Sequence, residues 1–207
     1  MSSNLVLFCV AALVLIVTPG PNFLYILTRG VTQGRRAALV AASGLGAGVL
    51  MHTALATLGV AALIRSSYLA FRFIKYGGSL YLVYLGVRAL RDRPDLFVGV
   101  REIPERAHRI LWESILTSMT NPKTILFFLS FLPQFVTAPA VDAARQMLLL
   151  GTIYMLLTLV VYGLVGYYAA SAGRWLRTRE TLASRMRWLT ATSFIGLGVW
   201  AALPDRR

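Results

Sequence analysis

The 207-residue sequence predicts an all-α integral membrane protein: six transmembrane helices forming an inverted 3+3 repeat, with helices 1 and 4 broken. Three observations lead there. Hydrophobic residues make up 57% of the chain, charged residues 14%, and the mean hydropathy is +0.66. A soluble domain carries about 25% charged residues, and at ~20 residues per span the apolar windows number six. Two of these windows are interrupted by proline, at Thr18-Pro19-Gly20-Pro21-Asn22 and at Thr120-Asn121-Pro122-Lys123, and Thr18 and Thr120 stand 102 positions apart. Finally, three spans per half is an odd number, so a duplicated half must enter the membrane in the opposite sense.

The elements follow in order. Span 1 covers Leu5–Thr28. Its apolar start has no basic segment before it and is followed by Pro-Gly-Pro instead of small residues, so cleavage as a signal peptide is not expected. It holds Cys9, the only cysteine, which excludes an intramolecular disulfide. Span 2, Leu39–Ile64, carries Gly44, Gly46 and Gly48; Gly44 and Gly48 form a small-xxx-small pair that lets helix backbones approach closely. Span 3, Tyr68–Leu90, contains Tyr76, Tyr81 and Tyr84. Tyrosines near span ends belong to interfacial belts, and Tyr81 is the one expected to face a cavity. A linker, 91–109, mixes arginines with Asp92, Asp95, Glu102 and Glu105. It is too short for a domain of its own, so residues 1–207 form one transmembrane unit, with repeat one at 5–90 and repeat two at 110–204. Span 4 is Ile110–Phe135, span 5 is Met147–Ser171 with Gly163 and Gly166, and span 6, Leu189–Leu203, is short.

The formal net charge is +13. Fourteen of the 21 Lys and Arg residues fall in loops 1–2, 3–4 and 5–6 with their helix ends, and six on the other side. Positive loops face the cytoplasm, so both termini should point outward. The charge therefore encodes topology and contact with anionic lipid, and nucleic acid is excluded as a partner.

Proline removes an amide donor and disfavours helix at the residue before it. In hydrocarbon an unpaired backbone group costs several kcal/mol, so a break persists only where protein or a watery cavity supplies partners. Paired breaks in two halves point to a transporter's substrate site. The restarting half-helix offers free N–H groups and a positive dipole end to a carboxylate, and the carbonyls of the preceding half can take an ammonium. Thr18, Asn22, Thr120 and Asn121 can cap these ends or touch ligand, and Lys123, mid-span, would be offset by a ligand carboxylate. The candidate binding residues are thus Thr18, Pro19, Gly20, Pro21, Asn22, Gly44, Gly48, Tyr81, Thr120, Asn121, Pro122 and Lys123. His52, at the middle of span 2, is either a hydrogen-bond partner of Thr53 or of a neighbouring helix, or a proton carrier, since imidazole titrates near neutral pH. Gln134 either caps the end of span 4 or gates the site. Glu113, at the start of span 4, is the acidic residue nearest to any span interior.

Thr18-Pro19-Gly20-Pro21-Asn22, the stretch Gly44–His52, Gly77-Gly78-Ser79-Leu80-Tyr81 through Gly86, and Asn121-Pro122-Lys123 followed by Phe127-Phe128 and Pro133-Gln134-Phe135 resemble the LysE/RhtB amino-acid exporter family. The resemblance covers essentially the whole chain. It implies a secondary transporter of a bacterial inner membrane, without cofactor, exporting an amino acid or small derivative against inward proton movement, and it allows a homodimer. Members of that family are associated with lysine, arginine, threonine, homoserine, leucine and cysteine derivatives. The absence of acidic residues within the spans points this chain to neutral amino acids.

Other functions fit less well. There is no HExxH, GxSxG, Cys–His set or Walker loop, so an intramembrane enzyme lacks its motif. An ion or metal-cation exporter or channel is the main alternative, but hard oxygen ligands for a divalent metal are missing from the spans.

Overall fold

The computed structural model describes residues 2–66, 68–91, 106–136, 142–177 and 180–202. Among these, the ordered elements are helices: α1 (Ser2–Val17), α2 (Pro21–Ser66), α3 (Tyr68–Arg91), α4 (Ala107–Met119), α5 (Pro122–Leu126), α6 (Ala143–Arg177) and α7 (Glu180–Ala202). A π-helical turn, Phe127–Phe131, and a 3₁₀ turn, Leu132–Phe135, continue α5. Most of the 91–109 linker lies outside the described residues, as does the end of span 6.

Around an apolar core, many large apolar side chains are exposed while several polar and charged ones are buried, unlike the surface of a soluble protein. Leu58 is 74% exposed and Leu80 72%, whereas Lys123 is 2% exposed and Ser114 and Ser118 are fully buried. An outer surface of this kind needs lipid around it. Pro21–Gly59 and Ala143–Ser171 are each long and apolar enough to cross a bilayer. The pair Ala107–Met119 and Pro122–Phe135, bent by 51°, is together long and apolar enough to cross as one broken span, and Leu5–Val17 and Trp188–Val199 are shorter apolar helices. The chain is a helical, multi-pass membrane protein.

Helix α2 runs on where the sequence suggested a loop between spans 1 and 2. A single residue, Gly34, bends it, with φ 85° and ψ −175°, a backbone conformation essentially reserved for glycine. The two arms fold back on each other, and both meet α6 at Gly166. A Cβ there would lie 2.6 Å from the Cβ of Ala38 on one arm and 3.2 Å from Cγ1 of Ile26 on the other. No side chain larger than hydrogen fits between them.

The α2–α4 contact uses matched small residues. A Cβ on Gly44 would sit 2.6 Å from the Leu111 carbonyl oxygen, and one on Gly48 would sit 2.5 Å from Cβ of Ser118. Ser118 Oγ donates across the contact to the Leu45 carbonyl at 3.2 Å. Gly44 and Gly48, expected also to line a binding site, are occupied by this packing against α4.

Candidate functional site at the two helix breaks

The first break spans Thr18–Gly20. Thr18 is 1% exposed, and both its N–H and its hydroxyl donate to the Val14 carbonyl. The carbonyls left over by the end of α1 are served from elsewhere in the chain. Lys123 Nζ donates to the Leu15 and Thr18 carbonyls, each at 2.7 Å. Thr190 on α7 donates to the Pro19 carbonyl at 3.3 Å. The sequence suggested that these carbonyls would receive a ligand's ammonium; the protein's own lysine takes two of them. Gly20 lies beside it: a Cβ there would make an ordinary contact with Lys123 Nζ, at 3.5 Å. Phe194 of α7 stands 6.0 Å from that ammonium, ring centroid to nitrogen. After the break α2 restarts at Pro21, which has no N–H. Leu24 N–H bonds back to the Gly20 carbonyl, so the amides of Asn22 and Phe23 belong to the unpaired first turn of the helix.

The second break is built differently. Asn121 is the N-cap of α5, and its Oδ1 accepts from the Lys123 N–H at 3.1 Å; Pro122 occupies the first helical position, where a missing N–H costs nothing. At the end of α4 the Ser118 carbonyl accepts from the Asn121 N–H at 3.2 Å and from His52 Nε2 at 3.0 Å, and the His52 ring stacks on Phe128 with centroids 5.7 Å apart. Because a carbonyl only accepts, His52 carries a proton on Nε2. Its partner is thus the neighbouring helix; Thr53 bonds to its own helix at the Val49 carbonyl.

The two breaks meet through Lys123, whose backbone belongs to the second and whose ammonium lies in the first. Among the described residues it has no carboxylate partner, and an ammonium has three donors of which two are used. Two buried side-chain atoms, Asn22 Oδ1 and Asn121 Nδ2, have no hydrogen-bond partner. One belongs to each break.

Four expected site residues lie apart from this arrangement. Tyr81 is 40% exposed and packs on Tyr84, so it does not face an interior cavity. Thr120 is exposed, with its hydroxyl on the Leu116 carbonyl of its own helix. Pro21 is exposed. Gln134 caps the Ser130 carbonyl at 2.7 Å. Thr190 and Phe194 were missed by sequence reasoning, their one signal being polar and aromatic character in a short apolar span.

Two further clusters flank the breaks. Toward the Gly34 bend, Arg29 of α2 and Arg109 both donate to Glu113 of α4, and Tyr25 donates to the Ile110 carbonyl at 3.3 Å. Toward the start of α1, Phe8 packs against Phe127 at 5.9 Å and Phe135 at 5.3 Å. One cluster is charged and the other aromatic.

Buried polar groups gathered at two helix breaks, among helices whose outer faces are apolar, are the organisation of a membrane transporter. The model of the LysE type translocator family matches residues 13–204. The chain belongs to that family, and is a translocator and not an enzyme. It is 33% identical to an uncharacterised membrane protein of Vibrio cholerae over 197 residues, covering 94% of each chain. It is 32% identical to a leucine efflux protein of an Enterobacter species, over 91% of this chain and 90% of the relative. A leucine efflux protein of Klebsiella pneumoniae is 31% identical over 93% of this chain and 92% of its own. No solved structure matches the chain.

Proposed function

We propose that the protein exports neutral amino acids, leucine foremost, across a bacterial inner membrane, with the head group held between the two broken helices. The observation that carries this is Lys123. Its buried ammonium has two carbonyl partners, no carboxylate among the described residues, and the unpaired first-turn amides of α2 nearby. A ligand carboxylate would pair with that ammonium. The names of the efflux relatives support an amino acid, and among these a neutral one, because a second cation beside Lys123 would be repelled.

Transport proceeds by alternating access, the halves of an inverted repeat rocking around the site. In one state the Arg29–Glu113–Arg109 cluster shuts the cytoplasmic mouth, and in the other the Phe8 aromatic contacts shut the outer one. The arginine-rich loops support cytoplasmic loops 1–2, 3–4 and 5–6 and outward termini. Inward proton movement drives export, with His52 as the carrier: its bond to Ser118 survives in either protonation state, so the second break can gain a proton without losing its cap.

The test is efflux of a labelled amino-acid panel from preloaded proteoliposomes, with and without an imposed pH gradient. Saturable, gradient-stimulated leucine export is expected. No amino-acid export from vesicles holding folded protein in both orientations would overturn the reading in favour of ions or other metabolites.

A further inference from the structure

The two breaks leave opposite atoms free, for a local reason. Asn121 is a helix N-cap, and its side-chain oxygen is spent on the Lys123 N–H, so its Nδ2 donor is left over. Asn22 sits inside the first turn of α2, past the capping position, and its Oδ1 acceptor is left over. Both residues are nearly fully buried, at 3% and 1% exposed for Asn22 and Asn121. A buried donor or acceptor left unpaired is a standing cost, which a ligand removes by pairing with it. One lysine touches both breaks: Lys123 is bonded at its backbone to Asn121 and reaches with its ammonium to the break that Asn22 adjoins.

The complementary ligand therefore presents a donor and an acceptor within a few atoms of each other, with a negative charge on the acceptor side. Building on the amino-acid reading above, we infer that Asn22 Oδ1 accepts from the substrate's α-ammonium while Asn121 Nδ2 and Lys123 donate to its α-carboxylate. The site then takes α-amino acids with both groups free and rejects their 2-oxo acids, amines and N-acyl forms. Asn22 is the residue that distinguishes an amino acid from its 2-oxo acid.

The experiment is competition against labelled leucine on the purified, full-length protein, using unlabelled leucine, its 2-oxo acid and its decarboxylated amine. A hydrogen bond to a charged group corresponds to roughly ten- to hundredfold in affinity, so each analogue should compete that much more weakly than leucine. In Asn22→Leu the disadvantage of the 2-oxo acid should shrink by about tenfold while that of the amine persists. In Asn121→Asp, which keeps the capping oxygen but turns the free donor into an acceptor, the amine should gain on leucine and the 2-oxo acid should lose further. A 2-oxo acid that competes as well as leucine on the parent protein overturns the inference, whether or not the variants fold. So do variants that shift both analogues alike. Those results leave amino-acid export standing; failure of leucine itself to bind would remove the export reading and this inference with it.

Discussion

The two breaks solve the same problem with different chemistry. Each ends a helix inside the membrane and must find partners for stranded carbonyls. The first recruits a lysine from the other half and a threonine from α7; the second recruits a histidine from α2 and caps its restart with its own asparagine. Lys123 of the C-terminal half bonds two carbonyls at the first break, and His52 of the N-terminal half bonds one at the second. This gives the breaks different chemistry: the first holds a lysine amine, the second an imidazole.

Four substitutions break or sharpen this contrast, from the largest effect to the smallest. Lys123→Met removes the cation and leaves the Leu15 and Thr18 carbonyls unpaired, at about 1–3 kcal/mol each. Leucine efflux from proteoliposomes should fall below detection and the melting temperature in detergent should drop. Gly48→Val forces α2 away from Ser118, whose carbonyl is the one His52 holds; such overpacking costs about 1–3 kcal/mol, visible as reduced folded yield on gel filtration and partial loss of transport. His52→Gln retains a donor for the Ser118 carbonyl but cannot carry a proton. Leucine affinity should stay near that of the parent while stimulation by the pH gradient disappears; unchanged pH dependence would return His52 to packing alone. Thr190→Val removes the bond to the Pro19 carbonyl, about 1 kcal/mol, a small shift in melting with transport nearly intact.

What was legible in the sequence was local. Proline marks a break wherever it falls in an apolar window, so both breaks, their spacing and the helical spans around them could be read directly. A lysine in the middle of span 4 was conspicuous for the same reason. The bend at Gly34 was not legible, because a glycine among Gln33, Arg35 and Arg36 looks like any polar loop. Nor were the partners that cross between elements. That Lys123 would spend two of its donors on α1 carbonyls, or that Thr190 would close the first break, depends on how α7 and α5 approach α1. Gly44 and Gly48 illustrate the ambiguity of a missing side chain: it signals close approach without naming what approaches, and here it is α4. Tyr81 illustrates another, since an aromatic residue suits a lipid-facing surface as well as a cavity.

The central claim is that one substrate head group is held by both breaks at once. Equilibrium binding of labelled leucine to the purified parent, to Asn22→Leu and to Lys123→Met tests it most directly. Both variants, checked for a parent-like elution profile, should bind leucine at least about tenfold more weakly, each having lost a bond to a charged group. Affinity equal to the parent's in either variant would mean that the breaks do not share a substrate.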